Sequence, residues 1–321
     1  MDVVTAPPSA AVDVSVIVCT RNRSDALARL LDRLEQLVVP AGVRWELIVV
    51  DNGSTDGTAA LLASWPRTLP MRVLNEVTPG LSRARNAGLA AASGGLLLFT
   101  DDDCLPDPQW LAAIRDEFAR APSLGVLGGR VELFDQRDQP TTTRTSRERG
   151  QITGAFNLDS IIGCNLALRP SALAAAGPFD IALGGGTGAG AGEDVDFVYR
   201  ALRAGLRIEY SPDALVYHNH GRRTDAQVRA LTRAYTVARG AIFCKYLLQR
   251  DRGILPRIHQ DVRWHSRALM QDLRAARFPS RAVRHYYQLA IGAAYWIRHR
   301  LTEWRAPASR RDRQPTGGTG S

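Results

Sequence analysis

The chain has 321 residues, of which 45% are hydrophobic and 23% charged, as is typical of a soluble globular enzyme. No apolar run reaches the roughly 18 residues of a membrane-spanning helix, and the N-terminal segment lacks the regions of a secretory signal. We therefore expect a cytoplasmic protein. The four cysteines lack CxxC spacing, which disfavours a zinc site or disulfide framework and predicts buried thiols.

The net charge of +9 is unevenly distributed along the chain. Residues 222–313 contain 21 Lys and Arg against 6 Asp and Glu, a net charge of +15, and the remainder carries −6. An acidic first part and a basic C-terminal part therefore call for separate explanations.

Strand-like and helical patterns alternate over the first hundred residues. A strand at residues 14–19 is followed by an apolar helical stripe, with Ser24 as the predicted N-cap. A helix is predicted at residues 80–92, and further strands at residues 45–50, 71–74 and 95–100. This alternation predicts an α/β fold with a doubly wound, mostly parallel sheet, in which ligands bind beyond the carboxyl ends of the strands.

The pattern is looser from about residue 124. We predict a strand at residues 125–133, a polar mobile loop at 135–151 and a glycine-rich lid at 183–192. A helix is predicted at residues 193–202, and two strand-like pieces at 207–210 and 214–217 lead to two histidines. Basic helices are predicted at residues 225–248, 257–276 and 281–304, before a disordered tail. The domain organisation predicted is a catalytic domain at 1–221, a helical extension at 222–305 and a tail at 306–321.

Three adjacent carboxylates, Asp101, Asp102 and Asp103, follow the fourth predicted strand. Such carboxylates repel one another unless a cation screens them, so the cluster favours a divalent metal over a solvated acidic turn. Oxygen ligands favour Mg²⁺ or Mn²⁺, with substrate phosphate completing the coordination.

A second polar cluster, at residues 51–57, follows the second strand. It could be only a tight turn and helix cap. In the functional alternative, the Asp51 carboxylate accepts a hydrogen bond from a pyrimidine imide N–H, which favours uracil or thymine.

Together these motifs resemble family 2 glycosyltransferases, which have the GT-A fold. The similarity lies in SVIVCTRNR at 15–23, VVDNGSTDGT at 49–58, PGLSRARNAG at 79–88 and LLLFTDDDC at 96–104. It continues in GCNLALRP at 163–170, GEDVDFVYR at 192–200 and VYHNH at 216–220. The ordered set covers roughly residues 14–220 and is far more specific than any single piece.

The resemblance implies a role for each matching residue. The donor-binding residues would be Thr20, Arg21, Arg23, Asp51, Asn52, Ser54, Arg83, Asn86, Asp101 and Asp102, with Arg83 at the diphosphate. The metal ligands would be Asp103, Asp101 and His218, with His220 as the alternative to His218. The catalytic residues would be Asp194, as general base, and Glu193, and Asn165 would contact the acceptor.

The activity implied is inverting transfer of a sugar from a nucleoside diphosphate, UDP or dTDP, to an acceptor hydroxyl. One departure affects the acceptor: relatives often carry an aromatic residue before the Glu-Asp pair, whereas this chain has glycine and alanine at 190–192. The acceptor, whether glycan, lipid-linked or small molecule, and the oligomeric state, a homodimer included, stay open.

Two other classes of function fit the sequence less well. A catalytically inert nucleotide-sugar-binding relative would lack the carboxylates found here, and a nucleotidyltransferase usually shows a glycine-rich lysine-containing loop near the N-terminus. A dehydrogenase is disfavoured because no GxGxxG follows the first strand. For the basic helices, peripheral contact with the inner face of a membrane and packing or oligomerisation are both open, and no nucleic-acid module is evident.

Overall fold

The computed structural model describes residues 12–154, 160–275 and 279–305, without the side chains of residues 268 and 303–305. The tail predicted at 306–321 lies outside the described residues. Within them, no helix combines the length and the apolar character needed to cross a membrane.

The first part of the sheet is parallel, as the sequence predicts. It consists of β3 (Met71–Asn75), β2 (Trp45–Asp51), β1 (Val14–Thr20) and β4 (Leu96–Asp101), in that spatial order. The register pairs Thr20 with Asp51 and Cys19 with Asp101. The ends of three strands that carry polar motifs therefore lie side by side.

The second part of the sheet mixes directions. It contains β5 (Cys104–Pro106), β6 (Leu124–Leu133), β7 (Gly150–Gln151), β8 (Asn165–Leu168) and β9 (Arg207–His218). The complete order is β3-β2-β1-β4-β8-β6-β9-β5, with β7 paired to β9. Strand β8 is antiparallel to both β4 and β6, so it marks the change of direction. The predicted α/β architecture is confirmed.

Helices cover both faces of the sheet. They are α1 (Ser24–Leu34), α2 (Thr58–Ser64), α3 (Leu81–Ala91), α4 (Trp110–Arg120), α5 (Pro170–Ala176) and α6 (Glu193–Arg203). Side chains alternate along β1: Val16 and Val18 pack with the apolar residues of α1 and α4, whereas Ile17 packs with the cluster containing α3 and α6. Burial on both faces explains why the strand is apolar throughout.

The basic C-terminal part is helical, as predicted. It comprises α7 (Asp225–Leu248), α8 (Leu255–Arg274) and α9 (Ser280–Arg305). Two glycines allow α7 and α9 to approach closely, because a Cβ atom on Gly240 would lie 2.1 Å from the Leu289 carbonyl oxygen. A Cβ atom on Gly292 would likewise lie 1.9 Å from the Val237 carbonyl oxygen.

These helices share a hydrophobic core with the sheet. Ile242, Tyr246 and Trp296 belong to the same buried cluster as Ile17. The buried ammonium group of Lys245, the only lysine of the chain, lies 2.7 Å from Asp180 Oδ2 and 2.6 Å from Asp196 Oδ1. Packing against the sheet is therefore one role of the helices, and the domain boundary at 221/222 stays a prediction.

Two local predictions need correction. Ser24 is the first residue of α1 rather than its N-cap, and its backbone N–H donates to Asp56 Oδ2. The two strand pieces predicted at 207–217 form one strand, β9, because a register shift opposite Gly129 and Arg130 accommodates Pro212. The loop predicted at 135–151 contains only the short β7 and one isolated bridge, from Val131 to Arg144.

Candidate active site

A cavity of about 500 Å³ opens at the carboxyl ends of β1 and β4, next to the change of strand direction. Ligands of open α/β sheets bind at such switch points. Ten of the residues predicted from the sequence line it: Thr20, Arg21, Arg23, Asn52, Asp101, Asp102, Asp103, Glu193, Asp194 and His218.

The three aspartates after β4 face different partners. Asp102 accepts hydrogen bonds from Thr20 Oγ1 at 2.8 Å and from Arg23 at 3.0 Å. Burial raises the pKa of Asp102 to about 7, although the Arg23 guanidinium opposes the shift. The third carboxylate, Asp103, accepts from Arg23 at 2.6 Å through Oδ2 and faces His218 through Oδ1. Asp102 therefore stabilises the turn after β4, and Asp103 faces the His218 imidazole.

Asp103 and His218 form a buried pair of donor atoms suited to a cation. Asp103 Oδ1 lies 3.3 Å from His218 Nε2. Although burial alone would lower it, the hydrogen bond to Asp103 raises the pKa of His218 to about 9. A carboxylate oxygen beside an imidazole nitrogen fits a transition cation such as Mn²⁺ better than Mg²⁺, which prefers oxygen ligands.

His220, the alternative to His218, points elsewhere. Its Nδ1 lies 3.5 Å from Asp138 Oδ2, and it is not among the residues that line this cavity. Burial lowers the pKa of His220, and the neighbouring His218 adds to the shift. Of the two histidines, only His218 is directed at an aspartate of the cluster after β4.

The Glu-Asp pair at the start of α6 lines the same cavity. Backbone N–H groups donate to both oxygens of Asp194, from Gly163 to Oδ2 at 2.9 Å and from Val195 to Oδ1 at 2.8 Å. Burial raises the pKa of Asp194, and the guanidinium of Arg85 opposes the shift. Asp194 is thus a firmly oriented carboxylate whose environment strengthens it as a base.

Glu193 is held by an arginine that the sequence interpretation missed. Arg85, which is 2% exposed, donates to Glu193 Oε1 at 2.7 Å and to Asp101 Oδ1 at 3.1 Å. It therefore ties the end of β4 to the start of α6. Burial raises the pKa of Glu193, and the charge of Asp194 adds to this effect.

The loop after β2 is shaped by its own polar side chains. Asp51 Oδ1 accepts from the Ser54 N–H, and Ser54 Oγ accepts from the Asn22 N–H. Asn52 donates to two backbone carbonyl oxygens and accepts from the Gly80 N–H. These bonds hold the loop beside β1, although Asp51 and Ser54 do not themselves line the cavity.

The structure corrects the placement of two residues predicted on α3. Ser82, Arg85 and Leu89 form the buried face of this helix, whereas Arg83 is half-buried and is not among the residues that line the cavity. The helical period could have distinguished the two arginines. The Asn86 side chain donates to the Phe179 carbonyl oxygen and accepts from the Phe179 N–H. It therefore joins α3 to the segment after α5.

Asn165 is also corrected. Its Oδ1 accepts from Trp110 Nε1, and its amide donates to the carbonyl oxygens of Arg130 and Ala214. At 1% exposure its hydrogen-bonding groups are all used within the sheet. Asn165 therefore joins strands and does not face an acceptor.

Two of the three lining residues beyond β9 are polar, and both were missed. Arg222 has a buried guanidinium nitrogen, NH1, with no hydrogen-bond partner among the residues that the structure describes. Tyr235 reaches the cavity from α7. Neither lies in a motif, and only the packing of α7 brings Tyr235 to the site, so no sequence signal could have found it.

Comparison with known proteins agrees with this geometry. The family model described as glycosyl transferase family 2 matches residues 15–176, which is half of the chain. The chain belongs to glycosyltransferase family 2.

Curated relatives of this family 2 member differ in what they are named for. It is 29% identical over 220 residues to the pre-mycofactocin glycosyltransferase of Mycobacterium tuberculosis, covering 65% of this chain and 43% of the relative. It is 26% identical to the glycosyltransferase AglE of Haloferax volcanii, covering 64% and 66%, and 29% identical to the succinoglycan biosynthesis protein ExoM of Rhizobium meliloti, covering 65% and 68%. The matched part is thus less than half of the mycobacterial protein.

Solved glycosyltransferases share the fold. The mannosyltransferase PcManGT of Pyrobaculum calidifontis, in complex with GDP-Man and Mn²⁺, matches with a TM-score of 0.57 and 20% identity, covering 94% of this chain and 90% of that one. TarS of S. aureus, residues 1–349 with UDP-GlcNAc, matches with a TM-score of 0.56 and 19% identity, covering 88% and 89%. The GT-A fold of this family 2 chain is confirmed.

Proposed function

We propose that this chain is an inverting, metal-dependent glycosyltransferase that moves a sugar from UDP or dTDP to an acceptor hydroxyl. The observation that carries the proposal is that the oriented, half-buried Asp194 and the Asp103–His218 pair line one cavity. A base and cation ligands in one cavity suit a displacement in which the acceptor is deprotonated as the nucleotide leaves.

Asp103 and His218 would hold the metal, with Asp101 at the edge of the same cluster. When bound, the divalent cation supplies charge neutralisation for the nucleoside diphosphate. The half-buried Arg23 keeps its guanidinium on Asp102 and Asp103, which limits the movement of both carboxylates. PcManGT, which shares the fold, is described with Mn²⁺, and this supports the assignment.

Asp194 would act as the base. Its carboxylate takes the proton of the acceptor hydroxyl while the acceptor oxygen forms a bond to the anomeric carbon. The bond from that carbon to the phosphate oxygen breaks, and the nucleoside diphosphate leaves with the electron pair. Attack opposite to the leaving group inverts the configuration. Glu193, held by Arg85, is a positioning residue for its neighbour Asp194.

The diphosphate would be met by Arg222 and Arg21, which line the cavity and belong to neither the Asp103 nor the Glu193 ion pair. Guanidinium groups pair well with phosphate oxygens, and such contacts stabilise the charge of a leaving group. We assign Arg222, rather than Arg83, to this role because its buried NH1 atom lacks a partner among the described residues.

The pyrimidine ring of the nucleotide would lie at the loop after β2. Asp51 is 4% exposed and pairs with Thr20 in the sheet. Its Oδ1 atom accepts from the Ser54 N–H, so the Oδ2 atom would accept from the imide N–H of a pyrimidine. TarS is described with UDP-GlcNAc, whereas PcManGT is described with GDP-Man. The preference for UDP or dTDP therefore rests on Asp51.

The experiment is a panel of UDP-, dTDP- and GDP-sugars tested by thermal shift and by donor turnover, with Mn²⁺ and with chelator. A ligand that binds the native state raises its apparent stability. We expect stabilisation by a UDP- or dTDP-sugar in Mn²⁺ and release of the nucleoside diphosphate. The variant Asp103→Ala should lose the Mn²⁺-dependent part of the turnover.

The panel also tests the alternatives. Stabilisation without turnover in any condition would indicate a catalytically inert nucleotide-sugar-binding protein. Release of pyrophosphate instead of a nucleoside diphosphate would indicate a nucleotidyltransferase. Metal-independent turnover that survives in Asp103→Ala would contradict the metal site.

Peripheral membrane contact is part of the proposal. The groove between α7 and α9 is lined by four arginines that form no ion pair among the described residues: Arg229, Arg233, Arg281 and Arg284. Basic clusters of this size are attracted to anionic lipid. Such contact would bring the cavity to a lipid-linked acceptor at the inner face of a membrane.

A further inference from the structure

A second cavity, of about 320 Å³, adjoins the first beside Asp194. The two cavities share five lining residues: Thr142, Ile162, Gly192, Asp194 and Tyr235. The carboxylate proposed as the base therefore lies at the junction of the two spaces. A molecule that presents a hydroxyl group to Asp194 can extend into the second cavity without leaving the first.

The wall of the second cavity is largely hydrocarbon. Its apolar residues come from the segment before β8, from α6, from α7 and from the turn before α8. They are Ile161, Val195, Ala238, Ile242, Phe243 and Ile254. Its two arginines are already engaged: Arg239 donates to Asp261 at 2.9 Å, and Arg257 donates to Gln260 at 3.0 Å. An apolar group entering this space would leave no charged group newly unpaired.

The position of α7 explains the missing aromatic residue before the Glu-Asp pair. A Cβ atom on Gly192 would lie 3.0 Å from Ala238 Cβ and 3.1 Å from Ile242 Cδ1, and its φ is +92°. Helix α7 thus packs against this glycine and leaves little room there for a side chain. Tyr235, one turn before Ala238 on the same helix, carries an aromatic ring to the junction instead.

Thr142, at the same junction, has an unusual backbone. Its φ is +53°, which is rare for a β-branched residue, and its Oγ1 is buried with no partner among the described residues. Residues held in such conformations concentrate at functional sites. The strained loop therefore agrees with a binding role for the space it borders.

We propose that the second cavity binds an apolar group of the acceptor, so that the acceptor is amphipathic. Its hydroxyl-bearing part would lie at Asp194, and its hydrocarbon or aromatic part would lie among the side chains of α7. The volume suits on the order of ten non-hydrogen atoms at about 30 Å³ each, the volume that one water occupies. This inference rests on the proposed function, because it takes Asp194 as the base.

The test uses methyl, butyl and hexyl β-D-glucopyranosides as probes, each titrated against the full chain in UDP and Mn²⁺ by ligand-observed NMR. Burial of each methylene should lower the Kd about threefold, so that butyl binds roughly 30-fold more tightly than methyl. The readout is the dependence on alkyl length, which does not require glucose to be the natural acceptor. Equal Kd values for all three probes would overturn the proposal.

A pair of variants on one loop locates the effect. Thr143→Trp places a large side chain into the cavity from its half-buried rim, whereas Thr145→Trp adds the same ring at an exposed position outside the lining. The dependence on alkyl length should disappear in Thr143→Trp and remain in Thr145→Trp. If it remains in both, the apolar group binds elsewhere and the proposal is wrong.

A second variant protects the test against a failure to fold. Val195→Thr adds a hydroxyl group to the wall at a half-buried position with nearly the same side-chain shape, and it should weaken the dependence on alkyl length. UDP binding is measured in the same samples. In the unsubstituted chain, bound UDP with no effect of alkyl length would overturn this inference alone, whereas absent UDP binding together with an intact effect would count against the proposed donor and support the cavity.

Discussion

The two sides of the cavity are assembled in different ways. On the side proposed for the donor, Thr20 and Asp101 lie at the ends of two neighbouring parallel strands, so the motif that follows each strand in the sequence lies at the cavity. On the acceptor side, Asp194 and Tyr235 come from two helices, α6 and α7, whose packing sets their separation. Local motifs in the sequence therefore identify the residues of the first side. The residues of the second side are brought together by the packing of α6 and α7, which follow about a hundred residues later in the chain.

The largest effect is expected where the two sides meet. Asp194→Asn keeps the volume of the side chain but removes the base, so the transfer rate should fall by about 10²- to 10⁴-fold. Nucleotide binding should be retained because Asp194 lies on the acceptor side. Steady-state kinetics with a UDP- or dTDP-sugar and a calorimetric titration of UDP measure the two quantities. Transfer at the wild-type rate would show that the base lies elsewhere.

The next prediction tests how much the ion pairs between α7 and the rest of the fold contribute to stability. Lys245→Met leaves the buried carboxylate of Asp196 and the half-buried carboxylate of Asp180 without their ammonium partner, so the free energy of unfolding should fall by about 3–5 kcal/mol. Arg200 still pairs with Asp196, which favours the lower end of this range. Urea denaturation gives the free energy of unfolding. Arg229→Met, at an exposed position on the same helix, is the matched control and should change it little.

Variants of two arginines test which one contacts the diphosphate: Arg83, as the motif predicts, or Arg222, as we propose from the structure. Arg222→Ala should lower kcat/KM by roughly 100-fold if its guanidinium stabilises the leaving diphosphate. Arg83→Ala, outside the cavity lining, should have a much smaller effect. Kinetics of both variants decide the matter. A large loss in Arg83→Ala with normal activity in Arg222→Ala would restore the assignment made from the sequence.

The smallest effect per residue is expected at the basic groove. Replacing Arg229, Arg233, Arg281 and Arg284 by glutamine should weaken binding to vesicles rich in phosphatidylserine by about 1 kcal/mol per charge. Sedimentation with vesicles at low and high salt measures the effect, because added salt screens such attraction. Neutral vesicles are the control. Equal sedimentation with neutral and anionic vesicles would contradict the membrane contact.

How far the site could be predicted depended on where each residue lies. The motif at 101–103 follows an apolar strand, and the structure brings it to the same cavity as Thr20 and His218. The motif at 79–88 led to Arg83 alone, although the helical period of the same segment buries Arg85. Asn165 ends a stretch that suits an acceptor contact as well as a strand junction, and only its neighbours Trp110 and Arg130 show which one applies.

The sequence by itself determined the family, the order of strands and helices over the first hundred residues and the acidic cluster after β4. It did so because apolar periodicity and turn residues act over a few neighbours along the chain. The tertiary structure alone decided that Tyr235 reaches the cavity, that α7 packs on the loop before α6, and that a second cavity borders Asp194. These features depend on the close approach of segments tens of residues apart, such as Gly192 and Ala238, which no local pattern encodes.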